Sequence, residues 1–334
     1  MTQANRQFLL AARPQGMVKE TDLSYREQPL AQLTAGQVRI ATEYLSLDPS
    51  MRGQMENRAD YVAPLEIGDV MRAGGVGTVI ESEHPDFPVG SRVAGTLGMQ
   101  TLATVDGNQP TIRLVDAAVE PTEALGMLGG TGMTAYFGLL ELGEPKAGDV
   151  VVISGAAGAT GSIAGQIAKI KGCTVIGMAG SASKCRWLTD DLGFDGAINY
   201  KTQDVGAELD RLCPDGINIY FDNVGGEILD LCLARIANNA RVIICGGISR
   251  YNVSGPIPGP RNYFNLVFRR ARMEGFIVLD YAARFPEAVA EMRGWIDAGQ
   301  LQQQVTVVDG FEKLPEALIG LFEGINTGKL MVKA

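Results

Sequence analysis

The chain has 334 residues, 46% of them hydrophobic and 20% charged, enough for two domains with their own cores and too apolar for disorder. Its 38 acidic against 29 basic side chains leave a net charge of -9, which repels a phosphate backbone and argues against a nucleic-acid partner. Gly and charged residues interrupt every apolar run before the roughly 18 residues of a membrane span, and MTQANRQFLL is a poor signal peptide, so no membrane partner is expected.

The first 120 residues read as β-rich, with alternating or β-branched runs at Gln37 to Leu47, Gly75 to Glu81 and Arg92 to Gly95. Asp86-Phe87-Pro88-Val89-Gly90 is a turn feeding the last of these. Helical periodicity then runs over Ala124 to Leu142. A regular alternation follows, with strands at Asp149 to Ser154, Cys173 to Met178, Gly196 to Tyr200, Ile217 to Asp222 and Arg241 to Cys245. The helices between them are Thr160 to Lys171, Ser183 to Leu192, Asp204 to Leu212 and Glu227 to Ile236. Apolar strands alternating with helices predict an α/β fold built on a doubly wound parallel sheet covered on both faces. A helix over Phe285 to Ala298 follows, and the segment 300–334 returns to strand-like texture.

The five cysteines, Cys173, Cys185, Cys213, Cys232 and Cys245, are odd in number, contain no C-x-x-C pair and lie in the second half. That pattern fits reduced thiols in a cytoplasmic protein. The sole histidine, His84, precedes Pro85 in a turn and reads as an exposed loop residue. With one His and no Cys before residue 173, the first half offers no zinc cage, so no metal is expected. A hydrolase triad is equally unsupported, since no G-x-S-x-G elbow occurs.

The motif that carries chemistry is Val151-Val152-Ile153-Ser154-Gly155-Ala156-Ala157-Gly158-Ala159-Thr160-Gly161-Ser162, an apolar strand running into glycines three apart and then a helix. Such a turn brings the backbone against a pyrophosphate, held by the free N–H groups and dipole of the helix N-terminus. The competing reading is glycines that only pack the helix on the sheet. NAD sites carry an acid at the end of the second strand, about 20 residues on, for the ribose 2′-hydroxyl. Here that strand ends Gly177-Met178-Ala179-Gly180-Ser181, without an acid, and Lys184 follows. A cation beside small residues suits the 2′-phosphate of NADP, although Lys184 alone reads equally as a solvated lysine.

The chain resembles the zinc-independent medium-chain dehydrogenase/reductases, within them the prostaglandin reductase, leukotriene B4 12-hydroxydehydrogenase and bacterial curcumin-reductase group. The resemblance covers essentially the whole chain. It rests on Tyr44-Leu45-Ser46-Leu47-Asp48-Pro49 with Met51-Arg52-Gly53, on Gly158 to Gln166, on Lys171-Gly172-Cys173, and on Phe221-Asp222-Asn223-Val224-Gly225-Gly226. It continues through Cys245-Gly246-Gly247-Ile248-Ser249-Arg250-Tyr251-Asn252, Arg272 to Val278 and Asn326-Thr327-Gly328-Lys329. It implies a GroES-like β-barrel domain from residues 1–125 and 299–334, and a Rossmann NADP-binding domain over 126–298. It further implies NADPH-dependent reduction of the carbon–carbon double bond of α,β-unsaturated ketones or aldehydes, and a homodimer, common in the group.

Carried over by motif, Gly158, Thr160, Gly161 and Ser162 contact the pyrophosphate, and Lys184 and Tyr200 the 2′-phosphate. Asn223 holds the cofactor at the end of the fourth strand, and Cys245, Gly246, Gly247, Ile248, Ser249 and Tyr251 line it after the fifth. Phe276, Ile277 and Val278 pass the nicotinamide carboxamide, which Asn326 reaches from the tail. For Tyr200 and Phe276 the alternative is strand-core packing. Three positions depart from close relatives: Ser50 where a tyrosine follows Leu-Asp-Pro, Phe268 where mammalian and plant members carry a tyrosine proposed as catalytic, and Thr131-Gly132 in place of Pro-Gly.

In the implied reaction, hydride reaches the β-carbon of the enone and negative charge builds on the carbonyl oxygen. A prepositioned donor there contributes on the order of 3 to 4 kcal/mol. Tyr251 is the leading catalytic candidate, ahead of Tyr61 and Ser50, and its alternative is to pack or to bond the cofactor phosphate. The competing functions are an NADPH quinone reductase and an NADPH-binding redox sensor without turnover.

Overall fold

The computed structural model describes residues 4–58 and 61–334. The chain divides into two compact units, one formed by Met1–Gly126 with Val305–Ala334 and the other by Met127–Gln304. The sequence reading sets its return to the first domain at 299, ahead of Val305, because the end of the helical pattern at Ala298 is the visible signal and the loop beyond it carries none.

Unit 1 begins with the antiparallel pair β1 (Ala4–Leu10) and β2 (Leu23–Pro29). The strands β3 (Gln37–Ser46), β4 (Gly74–Ser82), β5 (Arg92–Thr96), β6 (Leu102–Asp106) and β7 (Arg113–Leu114) follow. In unit 2 come β8 (Val150–Ile153), β9 (Thr174–Ala179), β10 (Gly196–Asn199), β11 (Ile217–Asp222), β12 (Ile236–Ile244) and β13 (Arg272–Gly275). The tail supplies β14 (Val305–Asp309) and β15 (Lys329–Lys333) to unit 1. The unit 1 sheet runs β14-β15-β3-β4-β5-β7, with β6 also paired to β3. Strand β3 is its organising member: it pairs with β15, β4 and β6, and its Val38, Ile40 and Leu45 are fully buried. The tail is fastened by Lys329, only 3% exposed, whose Nζ donates to Leu47 O at 3.1 Å and to the Asp48 carboxylate.

Between β14 and β15 lies a helix, Leu314–Glu323, where the sequence reading has strand-like texture. Its apolar residues Leu314, Ala317, Leu318 and Leu321 recur at helical spacing and are buried. The helix is short, contains Gly320 and sits between two strands, so the β texture around it masks its period.

Unit 2 is a six-stranded sheet in the order β10-β9-β8-β11-β12-β13, parallel at every pairing. The central strands are apolar throughout: Val151, Val152, Ile153, Ile219, Tyr220 and Phe221 are fully buried, as strands covered on both faces require. The edge strand β13, Arg-Met-Glu-Gly, is exposed along its length and lacks the apolar run by which the others are recognised. The helical stretch expected over 124–142 is broken into Pro121–Leu125, Gly130–Phe137 and a π-helical turn Gly138–Gly143. The break spans the boundary between the units at Gly126 and Met127. Gly138 has to be glycine because a Cβ there would lie 2.5 Å from Phe276 Cζ.

Candidate active site

Strands β8 and β11 are neighbours at the point where the strand order reverses, so a crevice opens beyond their carboxyl ends. Two fully buried polar residues, Ser154 and Asp222, stand there. One oxygen of Asp222, Oδ1, accepts hydrogen bonds from Tyr220 Oη at 2.7 Å, Ser154 Oγ at 2.9 Å, Gly225 N at 2.9 Å and Val224 N at 3.0 Å. Its other oxygen, Oδ2, is buried without a hydrogen-bond partner. Asn223 crosses to β8: its backbone N–H donates to Ser154 Oγ at 2.9 Å and its Nδ2 to Ser154 O at 2.8 Å. Asp222 therefore fixes the turn that presents Asn223. The sequence gives it no distinguishing mark, because a carboxylate ending an apolar strand resembles any strand terminus.

The glycine turn after β8 leads from Gly155, at φ +58°, to Gly158, which precedes the helix Ala159–Ile170. That helix has no side-chain cap. Its first turn carries the positive end of a twelve-residue helix dipole. A Cβ on Gly161 would sit 2.5 Å from Gly155 O, so this glycine is demanded by the turn's own backbone. Gly165, one helical turn on, lies under Phe194, whose Cζ would stand 2.0 Å from a Cβ there. Thr160 is partly exposed at the helix start, whereas Ser162 is 2% exposed with Oγ turned back to Ala159 O at 3.4 Å. The cradle thus fits a pyrophosphate through backbone groups, with Thr160 the accessible hydroxyl.

At the end of β9, Ser181 Oγ accepts from Lys184 N at 3.2 Å and lies 3.0 Å from Ser183 Oγ. Tyr200 is 41% exposed, and its hydroxyl would stand 2.8 Å from a Cβ on Gly180. The phenol covers Gly180 instead of entering the core. Lys201, not singled out from the sequence, leans over the same glycine, its Cε 3.2 Å from that Cβ position. Burial first, and the positive charge of Lys201 second, hold the Lys184 ammonium below its ordinary pKa.

The loop after β12 closes on the same crevice. Cys245 N and Gly246 N donate to Asp222 O at 2.9 and 3.0 Å, and Ile248 N to Asn223 O at 3.2 Å. Ser249 Oγ donates to Val224 O at 2.6 Å. Tyr251 Oη accepts from Gly247 N at 3.2 Å, and burial raises its pKa. Burial, with Asp222 nearby, pushes the Cys245 thiol up to about 12, so it stays protonated and inert. Unit 2 therefore places the turn of Gly158, Thr160, Gly161 and Ser162, Asn223, and the loop of Cys245 to Ser249 with Tyr251 at the carboxyl ends of neighbouring strands β8, β11 and β12. Phe276 sends its ring toward Gly138, whose missing Cβ makes room for it.

Asn326, Ser50 and Tyr61 belong to unit 1. Asn326 is 9% exposed and donates from Nδ2 to Gly328 O at 2.7 Å. Ser50 opens the short helix Ser50–Gln54, and Tyr61 is 48% exposed. Phe268 is 64% exposed and packs edge-to-face on Phe264 at 5.3 Å. Zinc does not fit the donors: His84 is bonded to Asn108 and Asp86, and no group of three His, Cys, Asp or Glu residues converges among the described residues.

Two family models match the chain, one described as the N-terminal domain of oxidoreductase over residues 6–112 and one as zinc-binding dehydrogenase over 159–294. The second lies wholly in unit 2 and takes in the glycine turn from Ala159, where the donors for zinc are lacking. The NADPH-dependent curcumin reductase of Escherichia coli is 40% identical over 336 residues, 99% of this chain and 97% of the relative. The NADP(+)-dependent 2-alkenal reductase of Nicotiana tabacum is 39% identical over 98% of this chain and 97% of its own length. The crystal structure of CurA in complex with NADPH from Vibrio vulnificus superposes with a TM-score of 0.93 at 39% identity, covering 98% of this chain and 99% of that one.

Proposed function

Because the chain belongs to the medium-chain dehydrogenase/reductase family, in the group of the NADP-dependent curcumin and 2-alkenal reductases, we propose that it reduces the carbon–carbon double bond of α,β-unsaturated ketones or aldehydes with NADPH. The observation that carries this reading is the acid-free end of β9, where Tyr200 and Lys184 stand ready for a 2′-phosphate, in the same unit as the glycine turn and the Asn223 crevice. When bound, NADPH supplies the hydride.

The chain's residues then divide the work. Backbone N–H groups of the Gly158–Gly161 turn, with the Thr160 hydroxyl, hold the pyrophosphate, Ser162 bracing the turn from inside, and Lys184 and Tyr200 hold the 2′-phosphate. Asn223 and the loop of Cys245, Gly246, Gly247, Ile248 and Ser249 form the wall of the crevice. Phe276, Ile277 and Val278 face the carboxamide. Tyr251 donates a hydrogen bond to the carbonyl oxygen as enolate charge develops there, and Tyr61 and Ser50 are the next candidates.

The assembly we propose is a homodimer through unit 2. Its edge strand β13 is open, and Val267, Phe268 and Leu279 beside it are at least half exposed. Five free thiols support a cytoplasmic location, and no helix among the described residues is long and apolar enough to cross a membrane.

The experiment is NADPH consumption against matched enones, quinones and alcohols. Turnover with enones well above quinones is the expected result. Turnover with quinones alone would favour a quinone reductase, and tight NADPH binding without turnover a redox sensor.

A further inference from the structure

Lys201 is a residue that neither the motif nor the missing acid points to, yet it shares one place with the two groups already assigned to the 2′-phosphate. A Cβ built on Gly180 would meet Tyr200 Oη at 2.8 Å and Lys201 Cε at 3.2 Å. The lysine chain and the phenol therefore lie side by side over the glycine that ends the second strand of the sheet. The Lys201 backbone is pinned there: its N–H donates to Asn199 Oδ1 at 3.2 Å, in a turn where Asn199 O also accepts from Thr202 N at 3.1 Å. Lys201 makes no ion pair with any carboxylate among the described residues. The Lys184 ammonium feels the positive charge of Lys201 through space.

We propose that Lys201 is a specificity-determining residue for the cofactor, the second cation of a Lys184–Tyr200–Lys201 clamp that selects a dianionic phosphate monoester over a free hydroxyl at the ribose 2′ position. A dianion bound over Gly180 accepts a charge-assisted hydrogen bond from the Lys201 ammonium beside those from Lys184 and Tyr200. A neutral 2′-hydroxyl offers no charge to either ammonium, so the contact with Lys201 favours the phosphorylated cofactor alone. Gly180 is part of the device, because any side chain there would push Tyr200 and Lys201 apart.

The inference rests on the NADPH reading above, and the test separates the two. Dissociation constants for NADPH and NADH are measured by fluorescence titration for the wild-type protein, Lys201→Gln and Lys201→Arg, with adenosine 2′,5′-bisphosphate and 5′-AMP as competing probes. The expected result is an NADPH constant raised about tenfold in Lys201→Gln, the scale of a single charge-assisted hydrogen bond at a partly exposed site. The bisphosphate should weaken in parallel, NADH and 5′-AMP should stay unchanged, and Lys201→Arg should recover most of the affinity. A wild-type preference for NADPH that survives intact in Lys201→Gln would overturn the role of Lys201 alone. Equal weakening of NADPH and NADH would overturn it too, as a structural effect. A wild-type protein that binds both cofactors equally would overturn the NADPH reading along with it.

Discussion

Tyr251 holds a position with two consequences. Its hydroxyl oxygen accepts the Gly247 N–H, and its own proton is given to no acceptor among the described residues. Burial keeps the phenol neutral well past neutral pH. In Tyr251→Phe the Gly247 N–H loses its partner, which costs about 1 kcal/mol and weakens NADPH about fivefold. Removing the proton donor lowers kcat by about 100-fold, the scale of one oxyanion-hole hydrogen bond. Stopped-flow single turnover together with NADPH titration separates these effects. Weakened binding with kcat intact would leave Tyr251 as a brace of the turn, and a collapse in Tyr61→Phe would move the donor to unit 1. Much at this scale is legible in the sequence: the missing acid after Ala179 and the cation at Lys184 need no coordinates. Lys201 and Asp222 are not, because one acts through its lean over Gly180 and the other through four donors gathered from three segments.

The glycine turn and its helix show how one spacing serves two purposes. Gly161 avoids the Gly155 carbonyl, a backbone atom that cannot move aside, while Gly165, one helical turn further from the glycine turn, avoids the Phe194 ring. Alanine at either position overpacks, costing on the order of 1 to 3 kcal/mol. Thermal melts should therefore show both Gly161→Ala and Gly165→Ala less stable than wild type. Only Gly161→Ala should also bind NADPH more weakly, since it alone displaces the turn. Equal weakening in both would mean that the helix merely transmits its packing to the site. The alternation of apolar strands with helices is legible because buried parallel strands have to be apolar along their whole length. The strand β13 and the helix Leu314–Glu323 escape a sequence reading for opposite reasons: one has too little hydrophobicity to register, and the other is apolar but short and set among strands.

For the whole molecule, two units of different architecture are built from one chain that leaves the first, completes the second and returns. The return is secured locally, by β15 pairing with β3 and by the buried Lys329–Asp48 contact. The uneven spread of cysteines belongs to this scale too: all five lie in unit 2, among them Cys173, Cys213 and Cys232, packed as small apolar side chains. The architecture follows from sequence pattern and long uncommon strings, whereas the proton donor depends on loops whose side-chain directions no spacing rule supplies.

The central claim is where the hydride goes, and NADPH carrying deuterium at its transferable C4 position tests it directly. With a conjugated enone in excess, the product recovered and read by NMR should be the saturated ketone or aldehyde, its carbonyl intact and one deuterium on the β-carbon. An allylic alcohol with deuterium on the carbinol carbon, or label left in the cofactor while the enone is returned unchanged, would contradict the account.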